Sequence, residues 1–116
     1  MYDEEQPNGA HWYFALAVDP QGQPAYIDGR GDINWRLNGT WTTIEGDCSE
    51  ELAFGAKSEL FKIGDCNSKN VFKRLNGKWE RLGDSSAKKI AIDKAGDLWI
   101  IDEAGQVLKW DQNNWQ

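Results

Sequence analysis

The side chains that could do chemistry in this sequence are mainly tryptophans and carboxylates. The 116 residues include seven Trp and 19 Asp and Glu, but one His and two Cys. An aromatic ring can stack against the C–H face of a sugar, while Asp, Asn, Gln and backbone groups bind the hydroxyls. Ligand binding by rings and polar groups is therefore the chemistry that this composition favours.

The sequence contains no arrangement that is typical of a catalytic or metal site. His11 is the one histidine, so no Ser-His-Asp or Cys-His set forms beyond it, and no phosphate-binding glycine loop occurs. No two carboxylates stand at a spacing that singles out an acid–base pair. Cys48 and Cys66 lack the paired spacing of a zinc site. We therefore expect a binding protein and not an enzyme, with no cofactor and no metal.

Three of the tryptophans belong to an internal repeat. The segments NWRLNGTW (34–41), FKRLNGKW (72–79) and LKWDQNNW (108–115) place Trp41, Trp79 and Trp115 at intervals of 38 and 36 residues. Residues that recur in register usually support the repeated structure. We therefore assign these three tryptophans to the scaffold.

Each repeat unit contains four short apolar runs separated by turns. The first runs are Leu-Ala-Val, Leu-Ala-Phe and Ile-Ala-Ile, and the shared alanine is expected where an innermost strand has little room. The Asn-Gly pairs at 38–39 and 76–77 suit tight hairpin turns. Four antiparallel strands at this period describe a β-propeller blade, so we predict an all-β protein. The predicted parts are an N-terminal arm at 1–14 and three blades at 15–46, 47–84 and 85–116.

The units resemble tectonin repeats, the propeller modules of the tachylectin-1, slime-mould tectonin and fish-egg lectin group. The resemblance covers roughly residues 15–116 and is clearest in KIAIDKAGDLWIIDEAGQVLKWDQNNW at 89–115. The first unit departs from the pattern at Pro24 and Ala25, and the middle unit has a longer turn, DCNSKN, at 65–70. The resemblance implies six-bladed propellers, many of which bind sugars on cell surfaces.

Two further tryptophans are candidates for a ligand site. Trp35 is matched by Lys73 and Lys109 in the other units, and Trp110 is matched by two arginines. Because these columns are otherwise charged, we expect both rings to face solvent or the grooves between blades. The predicted ligand-binding residues are Trp35, Trp110, Asn34, Arg36 and Asp111. The leading interpretation is a lectin-like protein that binds glycans at sites between blades, and the alternative is a scaffolding propeller that binds proteins or itself.

Three blades would leave apolar faces and strand edges open at both ends. We therefore predict a homo-oligomer, in the first place a homodimer that closes a six-bladed ring. An aromatic triplet in the arm, Trp12, Tyr13 and Phe14, replaces polar linker residues of the next unit and is a candidate assembly contact. Local packing over the first blade is the other explanation for this triplet.

The redox state of the two cysteines is linked to the cellular location, because disulfides persist in oxidising compartments. Cys48 and Cys66 are placed by the repeat on the same face of the propeller, so a disulfide can form. The N-terminus has no apolar stretch of signal-peptide type, which favours a reducing compartment and free thiols. Both states stay open, and the expected location is cytoplasmic or non-classically secreted. A net charge of −6 argues against nucleic acid, and no apolar run is long enough for membrane insertion.

Overall fold

The computed structural model describes residues 13–116, with side chains from residue 15 onward. This part of the chain contains strands and turns without any helix, and so no helix that could cross a membrane. The strands are β1 (Tyr13–Val18), β2 (Pro24–Asp28), β3 (Ile33–Leu37), β4 (Thr40–Ile44), β5 (Glu51–Phe54), β6 (Leu60–Ile63), β7 (Val71–Leu75), β8 (Lys78–Arg81), β9 (Ala87–Ile92), β10 (Leu98–Asp102) and β11 (Val107–Lys109).

The strands form three sheets in which neighbours along the chain pair antiparallel. The first sheet has the order β1-β2-β3-β4, the second β5-β6-β7-β8 and the third β9-β10-β11. A bridge between Trp110 and Trp115 begins a fourth strand in the third sheet. Each sheet is one blade, so the prediction of an all-β propeller with four-stranded units is confirmed. One boundary differs, since β1 begins at Tyr13 inside the predicted arm.

The turns between third and fourth strands follow the Asn-Gly prediction. Asn38 and Asn76 have φ of 52°, and Gly39 and Gly77 have φ of 80°. Two consecutive residues with positive φ match the right-handed twist of the flanking strands. This short turn fixes the register of the hairpin.

An aspartate closes the other turns, which the sequence interpretation missed, except for the β5–β6 turn, where the Glu59 carboxylate accepts the backbone N–H of Lys57. The Asp19 carboxylate accepts hydrogen bonds from the backbone N–H groups of Gln21 and Gln23, at 2.9 and 2.8 Å. Aspartates at five further turns accept backbone N–H groups in the same way, namely Asp28, Asp65, Asp93, Asp102 and Asp111. Much of the carboxylate content therefore shapes turns and is not free for a ligand.

The hydrophobic core lies between the blades and not within them. Each blade has a forward face toward the next blade and a back face toward the preceding one. The first junction joins Ala25, Ile27 and Ile33 on the forward face of the first blade to Leu52 and Leu60 of the second. The second junction uses the same columns one unit later and packs Phe61, Ile63, Val71, Leu82, Ala87, Leu98 and Ile100. A single sheet cannot bury itself, so the blades stabilise one another.

The first strands β1, β5 and β9 lie beside one another, as expected for innermost strands. Ala17 packs against the core of the first junction, while Ala91 on the third blade is exposed. The small residue therefore stands on the forward face, where the next first strand approaches.

A disulfide joins the first two blades. Cys48 lies in the link after β4 and Cys66 in the turn after β6, and their Cα atoms are 5.0 Å apart. Both cysteines lie on the same face of the propeller. The sequence left open whether they are free thiols or a disulfide, and the structure has the disulfide. A bridge across 18 residues stabilises the fold by about 3 kcal/mol in the chain-entropy model.

Candidate binding grooves between the blades

Two of the three recurring tryptophans, Trp79 and Trp115, bind neighbouring blades together. The Trp79 Nε1–H donates to the Glu45 carbonyl at 2.8 Å, and the Trp115 Nε1–H donates to the Leu82 carbonyl at 2.9 Å. In both cases the acceptor lies at or just beyond the end of the preceding blade's fourth strand. These contacts agree with the predicted scaffold role.

Trp110 occupies a column that holds arginine in the other two blades. Arg36 lies over the Trp41 ring at 5.5 Å, and Arg74 lies over the Trp79 ring at 5.0 Å. In the third blade Trp110 takes the place of the arginine, with its ring centroid 5.0 Å from that of Trp115. A ring–ring contact thus replaces a cation–π contact, which explains an aromatic residue in a charged column.

Trp35 fills the first junction. Its ring centroid lies 4.8 Å from that of Phe54 on the second blade, and its Nε1–H donates to the Asp19 carboxylate at 2.9 Å. Its cross-strand neighbour is Ala25, whereas the matching pairs in the other blades join Phe61 to Lys73 and Trp99 to Lys109. In the first blade the large aromatic ring therefore stands on the third strand, whereas in the other two blades it stands on the second strand. Trp35 lies between blades, as predicted, but it is engaged in packing.

At the position that Trp35 fills in the first junction, the second junction stays open, because the second blade has Lys73 in that column. The resulting cavity has a volume of about 500 Å³, and we call it the second-junction groove. Trp110 is half-buried at its border. The remaining lining includes Glu59, Phe61, Lys73, Leu75, Glu80, Leu82, Asp97, Leu98 and Gln112.

Charges of both signs face this groove. Burial opposes ionisation of Glu59, but the backbone N–H of Lys57 and the charge of Lys73 outweigh it and lower the pKa of Glu59 below its ordinary value. Asp97 forms an ion pair with Lys109 at 3.4 Å. Lys73 lies over the Phe61 ring at 5.7 Å. At neutral pH the groove therefore offers ionised carboxylates, an ammonium group, an amide and an indole ring.

The five predicted ligand-binding residues do not come together. Asn34 is fully buried: its Nδ2 donates to Asp28 at 2.8 Å and its Oδ1 accepts from Thr43 at 2.7 Å. This corrects the sequence prediction, since a fully buried amide cannot contact a ligand. Arg36 is used over Trp41, and the exposed Asp111 closes a turn. Of the five, Trp110 alone lines the second-junction groove.

The sequence interpretation missed the polar residues of this groove. Glu59 and Asp97 share one repeat column, which holds Gln23 in the first unit. A recurring acidic or amide residue beside an apolar strand was a signal that could have identified them. Of the predicted assembly residues, Trp12 lies outside the described residues, and Tyr13 and Phe14 are described as backbone of β1 only.

A second, larger cavity opens on the face that carries the disulfide. It has a volume of about 690 Å³, and we call it the loop-face groove. It is lined by Gly29, Arg30, Gly31, Cys48, Ser49, Glu50, Glu51, Lys69, Ala87, Lys88 and Glu103. Lys69 forms an ion pair with Glu50 at 2.8 Å. No group of three or more His, Cys, Asp or Glu residues in the described part of the chain is placed to hold a metal ion.

The sheets and their junctions define a β-propeller. A solved structure described as "YCF48 bound to D1 peptide" matches the chain with a TM-score of 0.72 and 16% sequence identity. The match covers 90% of this chain and 38% of that protein, so the chain spans well under half of its length. At this identity the likeness concerns the fold alone. No model of a protein family matches the sequence, and no curated protein matches it.

Proposed function

We propose that this chain is a carbohydrate-binding propeller segment of the tectonin type, with a sugar site in the second-junction groove. The observation that carries the proposal is the half-buried Trp110 ring at the border of a cavity lined by ionised carboxylates. A sugar needs one apolar surface for its C–H face and several fixed polar groups for its hydroxyls. The groove offers both within one cavity.

The size and chemistry of the groove fit this use. A volume of about 500 Å³ lies within the range of small-molecule sites. Glu59 is held as a carboxylate, which accepts hydrogen bonds from hydroxyl groups, while Lys73 and Gln112 can donate. The groove is open, so a single site binds weakly and gains from several sites presented together.

The experiment is a glycan array, followed by titration with the best sugar. Two variants test the site: Glu59→Gln removes a carboxylate, and the double variant Phe61→Ala with Lys73→Trp fills the groove as Ala25 and Trp35 do in the first junction. Each should weaken binding at least about tenfold, the loss of about 1.4 kcal/mol. Glu103→Gln, which lies in the other groove, is the matched control and should bind normally. Binding that no free sugar inhibits would contradict the proposal. Undiminished binding by the double variant with the filled groove would contradict it as well.

A second function, protein binding through the loop-face groove, is favoured by its charge pattern. Its volume of about 690 Å³ exceeds that of the second-junction groove, and its lining combines the basic residues Arg30, Lys69 and Lys88 with the acidic residues Glu50, Glu51 and Glu103. YCF48 is described with a bound peptide, and a charged groove of this size suits an extended peptide. A peptide array probed with the wild type and with Lys88→Glu tests this function. Identical peptide profiles for the two proteins would contradict it.

A further inference from the structure

The bridge between Cys48 and Cys66 joins two segments that depart from the repeat. The connection from β6 to β7, at 64–70, has seven residues, whereas the matching connections at 29–32 and 103–106 have four. The link between the second and third blades has Ser86 in the column of Cys48. The second junction therefore forms without a covalent bond, and the bridge is an addition to the blade scaffold.

The backbone beside the bridge is in the left-handed region that residues other than glycine rarely adopt. φ is 50° at Asp47 and 64° at Cys48. The link between the second and third blades uses a glycine for positive φ, Gly83 at 71°, and its residues 84–87 have none. Non-glycine residues with positive φ persist where the surrounding structure holds them, and they concentrate at switch regions. The bond to Cys66 supplies such a constraint.

The Cys48 backbone is wedged between turns of two blades. A Cβ atom at Gly31 would lie 2.5 Å from the Cys48 Cα, so the turn between β2 and β3 approaches this closely because it has glycine there. On the other side, a Cβ atom at Gly64 would lie 3.2 Å from the Cys48 carbonyl oxygen. The Ser49 N–H donates to the Gly31 carbonyl at 3.1 Å. Since this N–H belongs to the peptide group that follows the Cys48 Cα, its direction depends on the backbone angles of Cys48.

The bridge is accessible from the loop-face groove. Gly31, Cys48 and Ser49 line that groove, and both cysteines are exposed. Exposed disulfides are the ones that exchange readily with thiols. Neither cysteine belongs to the hydrophobic clusters at the two junctions, so the blades can keep their packing when the bridge opens. The wall of the groove, and not the core, depends on the bridge.

We propose that the Cys48–Cys66 bridge is a thiol-exchange site, and that its reduction reshapes the loop-face groove. The reactant is a dithiol, which gives up two electrons and two protons and becomes a disulfide. The S–S bond breaks, and Cys48 and Cys66 become thiols. Cys48 then returns to negative φ, the Ser49 N–H turns away from the Gly31 carbonyl, and the wall at 48–50 loses its fixed position. Any effect on peptide binding rests on the second function proposed above, whereas the change of shape does not.

The change of shape is tested by nuclear magnetic resonance on the whole chain, without a ligand, before and after treatment with dithiothreitol. The oxidised protein should give a nuclear Overhauser contact between Gly31 and Cys48. On reduction this contact should disappear and the Ser49 amide resonance should shift, while the contacts between β6 and β7 remain. The double variant Cys48→Ser with Cys66→Ser is the matched control. It should lack the contact from the start, and the reagent should not change its spectrum.

A second double variant separates the release of the left-handed backbone from the loss of the bridge. Cys48→Gly with Cys66→Ser also lacks the bridge, but glycine adopts positive φ without a steric penalty. It should keep the contact with Gly31 that the double serine variant loses. Loss of the contact in both variants overturns the role of the left-handed backbone.

Two results with the wild type overturn the proposal as a whole. One is a contact between Gly31 and Cys48 that persists after complete reduction, since the groove wall would then be independent of the bridge. The other is a reduced protein that circular dichroism shows to be unfolded, because the bridge would then hold the fold and not the groove.

Discussion

Replacement of Trp35 with alanine should destabilise the protein by about 2 to 4 kcal/mol. The sequence alone predicts a small effect, because Trp35 stands in a column of lysines. In the structure the ring lies 4.8 Å from Phe54 across the first junction, and its Nε1–H donates to Asp19 at 2.9 Å. Removal of a buried Trp or Phe costs about 3 to 5 kcal/mol, and the half-buried position of Trp35 reduces this value.

The free energy of unfolding lost in Trp35→Ala has two contributions, the packing of the ring and its hydrogen bond. A hydrogen bond to a charged group contributes about 1.5 to 3 kcal/mol, and less where the bond is only partly buried, as this one is. Trp35→Phe keeps most of the ring contact but loses the N–H, so it should cost about 1 kcal/mol. The difference between the alanine and phenylalanine variants then measures the packing across the junction.

Urea unfolding followed by tryptophan fluorescence and circular dichroism is a suitable assay, at one fixed protein concentration. With an m-value of about 2 kcal/mol/M, the midpoint for Trp35→Ala should fall by about 1 to 2 M. Lys73→Ala, in the same repeat column of the second blade, is the matched control and should change the midpoint little. A loss below about 1 kcal/mol for Trp35→Ala would refute the packing role and return Trp35 to the candidate ligand residues.

Three further results are expected. Trp79→Ala should cost about 3 to 5 kcal/mol in the same urea assay, since it removes a ring packed at the first junction and the bond to the Glu45 carbonyl; a loss equal to that of an exposed residue would contradict this. Replacement of Cys48 and Cys66 by serine should lower stability by about 3 kcal/mol relative to the oxidised protein, measured with and without a reductant. Burial lowers the pKa of Lys62 from 10.5 to about 8, so the folded state releases this proton before the unfolded state does. Stability relative to Lys62→Met should therefore rise between pH 8 and pH 10.5, and a constant difference across this window would show that burial of the ammonium is not costly.

The repeat pattern predicted the blades because each strand, turn and scaffold tryptophan recurs in the sequence. The Asn-Gly turns require positive φ wherever they occur, so local chemistry was sufficient there. Trp35 could not be assigned in this way, since its role depends on its cross-strand neighbour Ala25, and that pairing is known only once the register is fixed. Pro24 and Ala25 showed that the first unit differs from the others. They did not show that the Trp35 ring takes the place of a large residue at position 25.

Asn34 illustrates a signal that was present and not used. Its column holds Phe72 and Leu108 in the other units, which predicts an inward position. A buried amide is stable there because the Asp28 carboxylate and the Thr43 hydroxyl satisfy it. The groove residues Glu59 and Lys73 were missed for another reason: the groove exists only because two blades meet, and no single unit contains it.

The position of the core between blades has a consequence for synthesis of the chain. The ribosome releases Ile27 and Ile33 well before Leu52 and Leu60, which cover them. The first blade therefore waits, with its forward face in water, until roughly one more unit has emerged, and each later blade repeats this delay.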